Sequence, residues 1–571
     1  MNCYWVSFNP TNPVHLRWDE RLPADIIDQN PKCVGDHLDV THIDDTRTFM
    51  ADCRGGAVSE MIVVYPAGGC SWKHAGQLAA ELDRPHIDHV ILFVVSDEAS
   101  TFPIHIMRPL GDKIDLWVMT PQPEINYDGF RSVTFIGDGD AWAATLVTPG
   151  SVDKDLDVVF LGQDNHTRRA EAIEAAGDCT GNNMIEPTDG FTKGRERSDY
   201  MRHMARAKVV PCPSGLVSQD SFRAYEALTM GAVPVLDDLR RDGGGSGYWE
   251  MIDPTIGDHM PLITDWRNLP AISATIIDNW PLTPVLSHGW WHRHRRDLAH
   301  RFATQAKSTG GELTVIVVTS VIPDHPDTSM LEVTLASIRE RTDAEILILC
   351  DGVRSEQSEE GQRYLEYVRR VMLLAESWVD VTPVFFEEFS HQSGMMRRAL
   401  DEFITSEYVM FIEHDTPLVG EIPIDRILTD MNTGVMNLVR FYHEAAVHEE
   451  HAAMFLEATP KEGWPYVRTV QWSQRPHIAR CSFYADLMSR FFSSDARTML
   501  EDVLYPAEEF AWRKHGMESA WREWKTVLYA PEGGYVRSGH LDGRADDPKY
   551  PMLFDYPPET DQSGLPAPGY R

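Results

Sequence analysis

Positive charge is scarce in this chain relative to negative charge. Its 571 residues carry 52 Lys and Arg against 87 Asp and Glu, a formal net charge of −35. That charge argues against a loose, phosphate-tracking nucleic-acid binder, because the polyanion would be repelled, although a local basic groove is left open. Cysteine is sparse too. Eight are scattered without a CxxC pair, which argues against a zinc ribbon and against a disulfide framework and favours the reduced thiols of a cytoplasm. No apolar run approaches the roughly 20 residues a membrane helix needs. The opening MNCYWVSFNPTNP has neither the basic nor the apolar segment of a signal peptide. The expectation is a protein without membrane insertion, in the cytoplasm, or in the host cytoplasm if the gene belongs to a phage. Internal repeats and low-complexity tracts are absent.

What is present is a long series of short apolar runs alternating with helical patterns. The chain is too long for one core, so two or three domains are expected. Runs at Met61–Pro66, His89–Glu98, Ile114–Thr120, Leu156–Gly162, Ala207–Pro213 and Ala232–Asp238 make up a first region. Their spacing predicts two doubly wound parallel sheets, parting near Pro149–Lys154. The small, polar stretch Gln305–Glu312 reads as a linker. Beyond it the beat repeats at Leu313–Ser320, Glu345–Gly352, Val379–Phe386 and Tyr408–Ile412. The expected division is 1–150, 151–305 and 306–571.

In open α/β sheets, ligands bind beyond the carboxyl ends of the strands. In the last region those ends carry Asp351 and the cluster Glu413-His414-Asp415. Such a pattern suits a nucleotide held by one acid and a divalent ion, Mg²⁺ or Mn²⁺, held by others together with substrate phosphates. The pieces VIVVTS, LILCDG and the strand-borne acidic triplet make residues 313–544 resemble a family 2-type glycosyltransferase of GT-A fold. The resemblance implies Asp415 as metal ligand, with Glu413 close to metal and donor, and Asp351 on the nucleotide. Glu-His-Asp stands where that family has Asp-x-Asp. It also implies a histidine completing the metal site late in the chain, for which His540 in VRSGHLDGR is the candidate. A carboxylate opening a helix acts as base on the acceptor hydroxyl in inverting members. Two acid pairs compete for that role: Glu501-Asp502, with Asp502 preferred, and Glu508-Glu509. Acid pairs at a helix start also serve simply as dipole partners.

The first region has its own signal in Met204–Asp238. A strand runs into PCPSG, and a helix opens near Ser221 carrying Arg223 and Glu226. It ends at Gly231 before the strand AVPVL. A helix N-terminus attracts phosphate, and an arginine adds charge-assisted bonds. This segment resembles the donor half of an exostosin-like GT-B glycosyltransferase, a fold that generally needs no metal. DLDVVFLGQDNHTRRAEAIEA resembles the opening of the same half. The resemblance implies Arg223 and Glu226 on a sugar nucleotide, with Ser214, Gly215 and Ser221 near its phosphates. The alternative is a buried Arg-Glu pair locking the helix. In the preceding half, SDEAS at a strand end offers Asp97 or Glu98 as a base.

Three further motifs are set aside. HEAAVHEEH spaces His443 and His448 five apart, whereas a zincin needs four. GGGSG lacks the ending of a phosphate-binding loop. WWHRHRR reads as an inter-domain surface rather than a nucleic-acid site. The expectation is a bifunctional hexosyl- or pentosyltransferase, GT-B then GT-A, using nucleotide sugars and Mn²⁺ or Mg²⁺, with a protein or glycan acceptor ahead of modified DNA. Its rivals are one active unit beside a scaffold, and a binding or assembly protein that does not turn over.

Overall fold

The structure is a computed structural model. It describes residues 1–6, 46–56, 58–67, 72–95, 102–137, 146–190, 193–215, 218–239, 245–306, 311–356, 358–443, 449–531 and 536–541. Asp97, Glu98, His448 and the first two glycines of GGGSG lie outside them. The chain forms two compact units, Met1–Thr309 with Met372–Val379, and Gly310–Val371 with Asp380–Arg571.

Unit 1 contains two parallel five-stranded sheets. The first is β1 (Asn2–Trp5), β2 (Glu60–Pro66), β3 (His89–Val95), β4 (Ile114–Met119) and β5 (Ser132–Ile136), in sequential order. All seven residues of β3, HVILFVV, are buried, as expected of a strand covered on both faces. α1 (Thr46–Gly55) and α2 (Trp72–Leu82) place Phe49, Cys53, Leu78 and Leu82 on one face. Leu298 and Phe302 of the helix Leu282–Gln305 cover the other.

The second sheet is β6 (Leu156–Gln163), β7 (Met184–Thr188), β8 (Ala207–Cys212), β9 (Val233–Asp237) and β10 (Leu262–Ile263). Its order is β10-β9-β8-β6-β7. The chain therefore moves outward through β7, returns, and builds β8 on the opposite side of β6. α3 (Thr167–Gly177), α4 (Arg197–Arg206) and α5 (Phe222–Thr229) flank it. α5 stops where Gly231, at φ 77°, takes the left-handed turn that lets β9 begin. In the WWHRHRR run Trp290 and Trp291 are core residues of this half, and Trp290 Nε1 donates to Asp253 Oδ2 at 2.8 Å.

Unit 2 is built on one eight-stranded mixed sheet, β13-β12-β11-β14-β17-β15-β18-β16. Its strands are β11 (Leu313–Thr319), β12 (Glu345–Cys350), β13 (Val381–Phe385), β14 (Tyr408–Glu413), β15 (Leu438–Arg440), β16 (Tyr466–Arg468), β17 (His477–Arg480) and β18 (Thr526–Tyr529). β11 to β14 are mutually parallel where they pair, and β17 runs antiparallel to β14. β12 and β13 extend to one side of β11 while β14 returns to the other, a second reversal of strand order. α6 (Ser329–Arg339), α7 (His391–Arg398), α8 (Cys481–Phe491) and α9 (Leu500–His515) follow in chain order. Met395, Leu487, Leu500 and Leu504 pack with Ile316 and Leu347 on one face of the sheet.

At the amino ends of β3 to β5 a buried polar cluster closes the first sheet of unit 1. His89 Nε2 and Asp115 Oδ2 are 2.7 Å apart, and Ser132 Oγ donates to Asp115 Oδ1 at 2.7 Å. Burial alone would push the Asp115 carboxyl up. The bonds from His89 and Ser132, with Arg131 nearby, outweigh it and hold the carboxyl below its usual range. A carboxyl depressed in the folded state adds stability above its unfolded pKa and loses it as pH falls through the folded one. Asp115→Asn is expected to cost about 2 kcal/mol at neutral pH. Full-chain denaturant curves of variant and wild type should converge as pH drops below about 4.

Candidate functional site

In each unit a set of polar side chains gathers where the strand order reverses. That is the place where adjacent connections leave in opposite directions and open a crevice at the carboxyl edge.

In unit 1 the reversal lies between β6 and β8. β6 ends in Leu161-Gly162-Gln163, and α5 delivers Arg223 against it. Arg223 is 8% exposed. Its Nη2 donates to Leu161 O at 3.0 Å, and its guanidinium lies 4.5 Å from the centre of the Phe160 ring. Nε and Nη1 are buried with no hydrogen-bond partner among the described residues. Leaving such donors unmade inside a protein is costly. Gly162 makes the room, since a Cβ there would come within 2.1 Å of Arg223 Nη2.

Around this arginine the end of β8 is tied down. Ser214 N donates to Asp237 Oδ2 at 3.1 Å, and Ser214 O accepts from His166 Nε2 at 3.0 Å. Arg168 grips the same Asp237 carboxylate through two nitrogens. At Gly215 a Cβ would sit 3.2 Å from Ser218 O. Ser221 is the N-cap residue of α5, and its hydroxyl makes no cap bond. Glu226 does not pair with Arg223. Its carboxylate accepts Tyr200 Oη at 2.6 Å, and Arg197 Nη2 lies 2.7 Å from it. Both oxygens are thus committed to α4, which makes Glu226 an anchor between helices in this conformation. Gly162, His166 and Arg168 were not singled out from sequence, although all three fall in the segment likened to the opening of a donor half.

In unit 2 the reversal lies between β11 and β14, and β14 ends at Glu413. His414 turns toward α6, with its carbonyl accepting Thr334 Oγ1 at 2.8 Å and its ring 6.2 Å from that of His325. Asp415 is buried, and His540 Nε2 lies 3.9 Å from its Oδ2. Backbone pairing brings them together. Val419 N bonds Arg537 O at 3.0 Å, Gly539 N bonds Pro417 O at 2.7 Å, and Leu541 N bonds Asp415 O at 2.7 Å. Among the described residues no group of three or more His, Cys, Asp and Glu side chains is arranged to hold a metal ion. Asp415 and His540 are the acid and the imidazole that meet at this strand end.

Asp351, at the end of β12, is 2% exposed and occupied by the backbone. Its Oδ1 accepts from Gly352 N at 2.8 Å and Ser390 N at 2.7 Å, and its Oδ2 from His391 N at 3.0 Å. Burial pushes its carboxyl up, and these bonds oppose the shift. Gln392 then joins three elements. Its Nε2 donates to Glu413 Oε1 at 2.9 Å, and its Oε1 accepts from Leu500 N at 3.4 Å. Gln474 Oε1 accepts from Glu501 N at 3.1 Å, so two glutamines satisfy the first amides of α9. Glu501 and Asp502 occupy the first turn of that helix, with Asp502 exposed. The second acid pair lies in mid-helix. Glu509 accepts from Arg513 Nη2 at 2.6 Å, while Glu508 is fully buried and its carboxyl pushed up to about 8 by burial, against the pull of Arg440. Gln392 and Gln474 carry no motif that marks them in sequence.

No protein-family model and no curated protein matches the chain. Solved structures do. S. aureus TarS residues 1–349 matches with TM-score 0.27 and 12% identity, covering 40% of this chain and 60% of that one. The mannosyltransferase PcManGT from Pyrobaculum calidifontis, with GDP-Man and Mn²⁺, gives 0.26 and 13% over 44% of this chain and 69% of that one. Glucosyl-3-phosphoglycerate synthase from Mycobacterium tuberculosis, with Mn²⁺, UDP and phosphoglyceric acid, gives 0.25 and 13% over 41% and 72%. This chain thus spans under two thirds of the TarS fragment, and likeness at this level carries no argument about activity.

Arg223→Met replaces a buried cation holding unmet donors with an apolar side chain of similar length. The ligand-free variant is expected to melt at or above the wild-type temperature. Calorimetry with nucleoside diphosphates should register a loss of at least tenfold in affinity at this unit. A marked fall in the ligand-free melting temperature would mean that the guanidinium serves the fold instead.

Proposed function

We propose that this chain is a glycosyltransferase with two sugar-nucleotide units, an exostosin-like GT-B arrangement in unit 1 and a family 2-type GT-A arrangement in unit 2. The observation that carries the reading is the convergence on the end of β14. Asp415 meets His540 from the far end of the unit, Glu413 is steered by Gln392, and the acids of α9 start beside them. In this reading Asp415 and His540 hold Mn²⁺ or Mg²⁺, which when bound would offset the charge growing on a departing nucleoside diphosphate. Asp502, on the exposed first turn of α9, takes the proton from an acceptor hydroxyl as its oxygen attacks the anomeric carbon. Such assistance is worth roughly 10²–10⁴ in rate. Glu501 adjoins it. In unit 1 Arg223 takes the donor diphosphate, with Ser214, Gly215 and Ser221 near the phosphates.

The acceptor is a protein or a glycan rather than modified DNA, a choice supported by the net charge of −35. Among the described residues no helix is long and apolar enough to cross a membrane. One observation favours a second reading, in which unit 2 alone is active. The carboxylate of Glu226, expected on the sugar nucleotide, is already taken by Tyr200 and Arg197.

Thermal shift of the full chain against nucleoside diphosphates and their sugars, with and without Mn²⁺, separates the two. A ligand at a hundredfold excess over Kd stabilises by about 2.7 kcal/mol. Tandem function predicts Mn²⁺-dependent stabilisation lost in Asp415→Ala and metal-independent stabilisation lost in Arg223→Ala. Sensitivity to Asp415→Ala alone leaves one working unit, and no stabilisation by any nucleotide overturns the proposal.

A further inference from the structure

The buried Glu508 of α9 has a buried cation near it that it does not bind. Both of its carboxyl oxygens are enclosed with no hydrogen-bond partner among the described residues. Arg440, on β15, is 1% exposed, and its Nε is likewise enclosed and without a partner. The charge of Arg440 and the hydroxyl of Thr526 on β18 bear on the Glu508 carboxyl, but burial outweighs both and pushes it up to about 8. A carboxyl that keeps its proton has no charge with which to claim the guanidinium.

Arg440 is engaged elsewhere. Its Nη1 donates to Gln471 O at 2.5 Å and to Gln471 Oε1 at 3.4 Å. Three residues on, Gln474 Oε1 accepts from Glu501 N at 3.1 Å. Arg440 thus braces the segment that caps the first turn of α9. Burial opposes the charge of the guanidinium. Glu501 supports it most, then Glu508 and Tyr442, while Arg475 acts against it. His477, opposite Arg440 on β17, stacks on Tyr484 of α8, and burial pushes its imidazole down to about 4, so it adds no charge. The first turn needs the brace. Pro506 lies inside α9 and has no amide to offer the carbonyl of Asp502, so the turn is tied to the rest of the helix by one bond fewer.

We infer that Arg440 is a positioning residue for the acids that open α9, and that Glu508 competes with them for its charge. With its proton, Glu508 leaves the cation to Glu501. As pH rises and the proton is lost, Glu508 and Arg440 supply the hydrogen bonds that each lacks, and the brace on the first turn weakens. The bearing of this on transfer rests on the reading of Asp502 as the base of unit 2.

Pulsed hydrogen exchange of the full chain tests the inference, read on the peptide holding residues 499–505, without nucleotide, at pH 7 and pH 9. After correction for intrinsic rates, protection of this turn in the wild type is expected to fall about tenfold between the two pH values. In Glu508→Gln, which keeps the neutral shape, it should stay within about twofold. Arg440→Met should show at pH 7 the loss that the wild type shows only at pH 9, and Arg440→Lys, which keeps the charge, should recover most of it. Equal protection of the wild type at both pH values overturns the inference, and so does a fall in Glu508→Gln as large as the wild type's. A loss in Arg440→Met that is spread evenly over unit 2 and is not recovered by lysine also overturns it, since the arginine then serves the fold alone. If Arg440→Met does not fold, the comparison with Glu508→Gln decides. These readouts need no nucleotide, so a wild type that binds no nucleoside diphosphate overturns the reading of unit 2 and leaves the result on α9 standing.

Discussion

Parallel strands need crossover connections, and those connections keep one hand. When a chain has built outward on one side of its first strand and then returns to the other, the flanking segments leave the carboxyl edge in opposite directions and cannot close over it. That gap is the constraint on which the rest of this molecule depends. It occurs between β6 and β8 in unit 1 and between β11 and β14 in unit 2. The first sheet of unit 1, with its strands in sequential order, has no such reversal among the described residues. Its most buried polar cluster, around Asp115, sits instead at the amino ends of the strands, where it ties the sheet together.

The two gaps are furnished differently. In unit 1 a cation is buried with part of its hydrogen-bonding capacity unmet, while the neighbouring carboxylates Asp237 and Glu226 are fully engaged. Unit 2 has carboxylates at the strand end and a histidine brought to them. Similar sheet logic has thus been given opposite electrostatic character, and the difference lies in a few side chains rather than in the sheets.

Much of this was legible beforehand. Continuous apolar runs such as HVILFVV and LTVIVVT declare strands buried on both faces, because a side chain on either face must meet a covering helix. The abrupt stop of β14 at Glu413 was readable for the same reason, since a carboxylate cannot extend a run that is covered on both sides. The partners of those acids were not readable. Gln392 and Gln474 are ordinary polar residues in sequence, and they became significant only when α7 and the segment before β17 were packed beside the start of α9. Likewise Glu508 and Glu509 look like Glu501 and Asp502 in sequence. A helix that begins at Leu500 places the first pair on its end and the second along its side.

By itself the sequence determined the α/β class, the strand ends at which charge would accumulate, and the arginine-bearing helix, since burial period and local propensity are properties of neighbouring residues. Only the tertiary structure decided which of those charges were already answered. Arg223 keeps two nitrogens without a partner among the described residues, both carboxylate oxygens of Glu226 are taken, and Asp351 is absorbed by a turn. Each of those outcomes depends on a hydrogen bond, and a hydrogen bond exists only at a particular distance and angle. Residues far apart in the chain acquire that relation only when the fold is complete.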